Sequence, residues 1–164
     1  MKKTAILFLS FAALTSSGLL AQKRTPAQAT KPSIEIEGVN LHLGMMKADV
    51  AELFVGKPME KMDEQTWTVG KTGTVQFKNG NLIFAARSWM NDGADQIDAI
   101  FKAVSSLNRE GFTACRVLSD TAPHTERIGI DCGQKSVLII ETVSGSQRVT
   151  EVSERIGNFD FDSK

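Results

Sequence analysis

The sequence predicts an α+β domain in which two successive helix-plus-antiparallel-meander units, residues 34–90 and 91–157, pack together around one disulfide. Apolar residues recur at helical spacing twice, over about Lys47–Phe54 and again from about Asn91 to Leu107. Runs of alternating polar and apolar residues, separated by turns that contain Gly or Asn, follow each helix. Helices segregated from antiparallel strands in this way are typical of the α+β class.

The first 21 residues have the features of a secretory signal peptide. Lys2 and Lys3 precede a short apolar run, and small residues follow near Ala21, where we expect cleavage; the site at 27–29 is the alternative. A retained anchor is disfavoured because the run is shorter than the ~20 residues that a membrane span needs. No Cys follows the run to carry a lipid. The protein is therefore predicted to be periplasmic or secreted, with no stable membrane anchor after cleavage.

Residues 22–33 have no large apolar side chain and are predicted to form a flexible linker, whereas residues 158–164 are predicted to be a tail. Loss of Lys2 and Lys3 leaves 17 of the 19 basic residues against 19 acidic ones, a net charge near −2. A near-neutral domain with no basic cluster is not expected to bind nucleic acid. We expect a protein partner; the oligomeric state is left open.

Two cysteines, Cys115 and Cys132, are predicted to form a disulfide, as expected for an even pair in an exported chain. Both lie on predicted strands, and pairing of these strands about Pro123-His124 places the cysteines opposite each other. Val117 then faces Ile130 on one side of the sheet. Closing this loop should contribute about 3 kcal/mol to stability.

An enzyme or metal site is the least favoured interpretation of the polar residues. The chain has only two histidines, His42 and His124, and no Cys-x-x-Cys spacing, so we expect no metal and no cofactor. His124 has Asp120 and two threonines nearby, which makes a small enzyme that uses His124 the weakest alternative. No nucleophile, base and orienting group are predicted to converge.

The Asn79-Gly80 turn fixes the predicted register of the first meander, because both residues tolerate the positive φ of a two-residue hairpin. Phe77 is then predicted to face Leu82, and Val75 to face Phe84. These four apolar residues form the predicted core face of the meander.

The opposite face of that meander carries the candidate protein-binding row, Ile83, Arg87 and Trp89, since Trp and Arg are favoured interface anchors. A two-residue loop at Lys71-Thr72 adds Trp67 to this row, whereas a three-residue loop with a bulge returns Trp67 to the core. Both alternatives stay open. So does the competing interpretation that the second helix folds back and covers the row.

The second unit is predicted to bury one helix stripe and to end on a polar edge strand. The stripe follows the i, i+3, i+4, i+7 spacing of a buried helix face. Its members are Ile97, Ile100, Phe101, Val104 and Leu107. The final strand, Gln147–Ile156, is rich in charged residues and is therefore predicted to lie at a sheet edge.

One short pattern in the first unit resembles the SmpA/OmlA (BamE-like) family of small exported domains, and the layout is also similar to that of the secreted β-lactamase inhibitor protein. The resemblance covers about residues 39–82. It rests on Leu43-Gly44-Met45, Asp49-Val50, Leu53, Gly56, Pro58, Trp67, Val75, Phe77, Asn79-Gly80 and Leu82. It implies that Gly44, Met45, Gly56 and Pro58 shape the fold and that no residue is catalytic.

These features together predict a non-catalytic exported protein-binding module of BamE-like type. The first alternative is a secreted inhibitor of a hydrolase, which uses the same kind of surface. The second is the small enzyme that uses His124.

Overall fold

The computed structural model describes residues 31–90, 95–109 and 114–158. The predicted signal peptide, residues 22–30 of the predicted linker and residues 159–164 of the predicted tail lie outside these ranges. Neither helix in the described part of the chain is long and apolar enough to cross a membrane. The elements are β1 Ser33–Ile36, β2 Val39–His42, α1 Lys47–Leu53, β3 Met59–Lys61, β4 Thr66–Val69, β5 Gly73–Lys78, β6 Asn81–Ser88, α2 Gln96–Arg109, β7 Arg116–Ala122, β8 Thr125–Asp131, β9 Lys135–Ser144 and β10 Gln147–Gly157.

The prediction of an α+β domain with two helix-plus-meander units is wrong, because the chain is mostly β and its long strands share one antiparallel sheet. The eight strands lie in the order β3-β4-β5-β6-β10-β9-β8-β7, and β1 and β2 form a separate hairpin. The two predicted meanders merge where β10 pairs with β6, between Ser153–Gly157 and Phe84–Ser88. Each meander alone would leave an open edge there, and pairing satisfies the backbone groups of both edges.

The final strand, β10, is also not the predicted polar edge, since it lies between β6 and β9. Val152 and Ile156 are fully buried on the helix-covered face of β10. Glu154 lies between them and is also buried, bound to Lys135. Glu154, one of the charged residues that suggested an edge strand, therefore belongs to a buried ion pair. The described edges of the sheet are β3 and β7 instead.

The first core lies under the β1–β2 hairpin and α1, which both cover the same face of the sheet. Residues of alternating strand positions and of one side of α1 meet there. They are Ile34, Ile36, Val39, Leu41, Val50, Phe54, Trp67, Val69, Val75, Phe77, Leu82, Ala85 and Ile156. Burial at ~25 cal/mol per Å² of apolar surface makes this cluster the main stabilising contact of the N-terminal half.

The register of the first meander differs from the prediction at one point. Phe77 faces Leu82, as predicted from the Asn79-Gly80 turn. A register shift between Gln76 and Phe77 then places Gln76 opposite Phe84, so the predicted Val75–Phe84 pair is wrong. A bulge of this kind moves every following residue to the other face.

The connection between β4 and β5 decides between the two loops left open by the sequence. Val69 pairs with Gly73, which leaves a three-residue loop at 70–72. Trp67 consequently pairs with Val75 on the core face. Its ring makes an edge-on contact with Phe77, with 4.9 Å between the ring centroids.

The second core lies under α2, but the side of α2 that faces this core differs from the predicted apolar stripe. Ala99, Ala103, Ser106 and Leu107 are the buried residues of α2, and they pack toward Trp89, Val137 and Val152. Ile97 and Phe101, which were predicted to be buried, are 80% and 69% exposed. The small side chains of the alanines let the helix approach the sheet closely, and this turns the largest apolar residues outward.

The predicted disulfide is confirmed: Cys115 and Cys132 are bonded, with a Cα–Cα distance of 4.2 Å. The hairpin turns at Pro123-His124, and Val117 faces Ile130, both as predicted. The disulfide holds the start of β7 to the end of β8.

Candidate functional site

The four residues predicted to bind a partner do not form one exposed surface. Trp67 is 4% exposed within the first core, and Trp89 is 8% exposed under α2. Arg87 is partly buried, with its guanidinium 3.9 Å from the centroid of the Trp89 ring. Ile83 is partly buried beside the register shift of β6. Their role in protein binding stays a prediction. Arg87 and Trp89 line a polar cavity.

The four motif residues, Gly44, Met45, Gly56 and Pro58, flank α1 and connect it to the first meander. None of them has a titratable or nucleophilic side chain. Gly44 and Gly56 have φ values of 88° and 80°, which an L side chain rarely adopts. The Gly44 N–H donates to the Leu82 carbonyl and the Leu82 N–H donates to the Met45 carbonyl, each at 2.8 Å. The Pro58 carbonyl accepts a 2.7 Å hydrogen bond from Gly70.

The longer edge strand of the sheet is β7, whose residues 116–121 are all exposed. Natural edge strands are often blunted by short length, Pro, charged side chains or a bulge. β7 has seven residues and no Pro, and its register with β8 runs without interruption from Arg116 to Ala122. Its two charged residues, Arg116 and Asp120, are both in ion pairs with β8. Val117 is 72% exposed on the face that α2 partly covers, and Leu118 is exposed on the other. β7 is thus a regular strand, and no described strand pairs with its outer edge.

Both ends of β7 are held firmly to β8. The disulfide fixes one end, and Arg116 beside it donates to Asp131 at 2.9 Å. The hydrogen bond from the Gly133 N–H, followed by that from Arg116, lowers the pKa of Asp131 below its ordinary value of 3.8. Toward the turn, Arg127 binds Asp120 at 3.3 Å. The edge is therefore presented in one register, which reduces the entropy lost on binding.

On the face that carries α2, a groove runs over β8, next to β7, and no other described element covers it. Ile97 and Phe101 project from the helix into solvent, while Ile128 on β8 and Val117 on β7 are exposed on the sheet. The register places Val117 and Ile128 on the same face as Val137, which packs under α2. A cavity of about 210 Å³ lies in the groove, between Ile100 of α2 and the strands β8, β9 and β10.

One end of this groove is acidic. Glu126 and Glu141 lie directly opposite each other on β8 and β9, and both line the cavity. Arg148 binds Glu141 at 2.6 Å, whereas Glu126 has no ionic partner among the described residues. Like charges on opposed strand positions repel, so a cation near Glu126 would be favoured.

The polar residues around His124 lie in and beside the turn between β7 and β8. His124 occupies the turn between β7 and β8 with φ 63°, and its carbonyl accepts a hydrogen bond from Val143. Asp120 is bound to Arg127. Among the described residues, no three His, Cys, Asp or Glu side chains are placed to hold a metal ion.

The position of β7 at an open edge was not predicted, because the charges of β10 suggested that β10 was the edge. The signal that was available is the alternation of Val152 and Ile156 around Glu154, which is typical of a strand with one buried face. The exposure of Ile97 and Phe101 had no comparable signal, since their spacing is that of a buried stripe.

Comparison with known proteins adds no relative: no family model, no curated protein and no solved structure matches the chain.

Proposed function

We propose that the protein is a non-catalytic exported binding module that takes up an extended segment of a partner protein along β7. The observation that carries this proposal is the exposed, regular and firmly held edge of β7. Strand addition to such an edge supplies backbone hydrogen bonds for affinity, and side-chain pockets on alternate positions supply specificity. Export is supported by the disulfide, since disulfides persist in oxidising compartments.

The groove beside β7 defines the chemistry of the partner segment. In an added strand, alternate side chains point to the face of Val117 and Ile128, where apolar residues bury exposed surface. Glu126 pairs with Thr121 of β7, near the turn of the hairpin. A Lys or Arg at that end of the segment lies within reach of the unpaired carboxylate. We therefore expect an extended segment with alternating apolar residues and a basic residue at one end.

A peptide selection on the purified protein tests this proposal. We expect a phage-displayed library of random linear peptides to yield binders with the alternating pattern described above. Val117→Lys places a charge at the open edge and should abolish their binding. Val149→Lys is the matched control, because Val149 is also an exposed strand valine but lies on β10, away from the edge.

Hydrogen exchange then distinguishes strand addition from a purely side-chain contact. We expect bound peptide to slow amide exchange in β7 and to leave α1 unchanged. Failure to select any peptide that Val117→Lys loses would overturn the proposal, as would unchanged exchange in β7. A protein that is dimeric in sedimentation, and that Val117→Lys makes monomeric, would overturn it as well, because the edge would then bind a second copy.

A further inference from the structure

The strand β7 contributes no buried side chain to either of the two described cores. Residues 116–121 are exposed and Ala122 is half-buried, and none of them belongs to a core cluster. In the described sheet, β7 pairs with β8 alone. A two-stranded hairpin is only marginally stable by itself in water, because it buries little apolar surface. Burial therefore does little to hold β7 on the sheet.

The neighbouring strand β8, in contrast, is anchored to the second core. Ile130 and Cys132 pack against the buried residues under α2. Cys132 is half-buried, whereas its disulfide partner Cys115 is exposed and immediately precedes β7. The disulfide therefore ties a strand without buried side chains to a residue that packs against a core.

Two ion pairs also link β7 to β8, but both lie largely in water. They join Arg116 to Asp131 and Asp120 to Arg127, and the Arg116 and Asp120 side chains are 77% and 68% exposed. Exposed ion pairs contribute little to stability, because water screens the charges and ordering of the side chains costs entropy. The disulfide is thus the strongest of the described side-chain links that hold β7 in register.

We propose that the disulfide is a redox switch for the β7 edge. With the bond intact, β7 is ordered and accepts an added strand; in the reduced chain, β7 detaches from β8 while both cores stay folded. Local opening of a strand without buried side chains costs less than unfolding of the cores. This inference rests on the proposed strand addition and adds its regulation: binding is confined to oxidising compartments, where disulfides persist.

The reductant in this proposal is a dithiol. One of its thiolates attacks the exposed Cys115 sulfur, so that Cys132 leaves as a thiolate and takes up a proton. The second thiol of the dithiol then displaces Cys115 from the mixed disulfide. The bond between the two cysteines is broken, both become thiols, and the dithiol is oxidised to a cyclic disulfide. Two electrons and two protons pass to the protein.

Hydrogen exchange of the purified protein, with and without dithiothreitol, tests this inference without any peptide. We expect reduction to speed amide exchange in β7 at least tenfold, because its bonds to β8 then open locally. Exchange in β5, β6 and β10 should change less than twofold, because these strands pack in the cores. The double variant Cys115→Ser/Cys132→Ser should show the fast exchange in β7 without reductant, and dithiothreitol should leave it unchanged.

The Arg116→Gln variant is the matched control, because it removes the neighbouring ion pair and keeps the disulfide. It should change exchange in β7 less than twofold, and an effect as large as that of reduction would overturn the inference. Equal exchange in β7 of oxidised and reduced protein would overturn it as well. So would an equal rise in β7 and β10, because the disulfide would then stabilise the whole domain rather than the edge.

Peptide binding separates this inference from the proposed function. A selected peptide without cysteine should bind the oxidised protein, and reduction should weaken its binding at least tenfold, with recovery after reoxidation. The same affinity in both states would overturn the switch and leave strand addition standing. If the oxidised protein binds no peptide, strand addition fails, and the exchange experiment still decides whether the disulfide controls the order of β7.

Discussion

Lys135 and Glu154 join three parts of the molecule through one pair of side chains. Lys135 begins β9, Glu154 lies in β10, and the Ser33 carbonyl that accepts from Lys135 begins β1. The hairpin that covers the first core is thus tied to the C-terminal strands by a charged hydrogen bond. Such a bond fixes the positions of the joined elements, but the two charged groups lose favourable hydration when they are buried.

Removal of one partner of this pair should be far more harmful than removal of both. We expect Glu154→Leu to lower the free energy of unfolding by about 3–5 kcal/mol, since it leaves the Lys135 ammonium buried without its carboxylate. The double variant Lys135→Met/Glu154→Leu should recover most of that loss. Urea unfolding of the three proteins measures both effects, and equal losses in the single and double variants would contradict this account.

The Lys135–Glu154 pair also shows which features of single residues could be predicted from the sequence and which could not. The turns at Asn79-Gly80 and Pro123-His124 were predicted correctly, because turn chemistry depends on adjacent residues. The burial of Glu154 was not predictable in the same way. It depends on Lys135 from another strand and on Ser33 from a hairpin far away in sequence.

At the scale of elements, α2 shows how small residues set the orientation of a helix. The apolar residues of α2 cover a wide arc, and Ala99, Ala103 and Leu107 occupy only one side of it. Close contact with Trp89 and the sheet is available on the alanine side, so dispersion contacts favour that side. Spacing alone predicts that an apolar arc exists, but not which part of it faces the sheet.

A pair of truncations in α2 should separate its two apolar sides. We expect Leu107→Ala to lower the free energy of unfolding by about 2–5 kcal/mol, because it opens a cavity in the second core. Phe101→Ala, the larger truncation, should change it by less than about 0.5 kcal/mol, because Phe101 is exposed. Denaturant unfolding provides the comparison. A large loss in Phe101→Ala would place that ring in the core, as the spacing had predicted.

In the whole molecule, the layer that covers one face of the sheet has two gaps. The hairpin and α1 cover the N-terminal strands, and α2 covers the second core on β9 and β10. A cavity lined by Arg87 and Lys135 lies between the hairpin and α2, and the groove lies between α2 and the strands β8, β9 and β10. The first gap was not predictable, since it follows from the β6–β10 pairing that joins the two meanders. The second depends on which side of α2 faces the sheet. Most of the strands were predictable from their alternation, but β3 was not, because Met59–Lys61 is short and carries two charged residues.

The β6–β10 seam should therefore control the stability of the whole molecule, and Gly157 provides the test. Gly157 ends β10 opposite Phe84, and a Cβ built there would collide with the Ile83 carbonyl oxygen. Gly145 is the matched control, because its φ of 61° is also positive but its Cβ position is open.

We expect Gly145→Ala to cost about 1–2 kcal/mol, from the left-handed backbone alone. Gly157→Ala should cost about 1–3 kcal/mol more, because the seam must move apart to admit the methyl group. Thermal and urea unfolding of both variants measure the difference. If the seam joins the halves into one folding unit, Gly157→Ala shifts a single transition that is followed equally by Trp67 in the first core and Trp89 in the second. Separate transitions for the two tryptophans would instead mean that each core unfolds by itself, with the seam as a contact between two independent units.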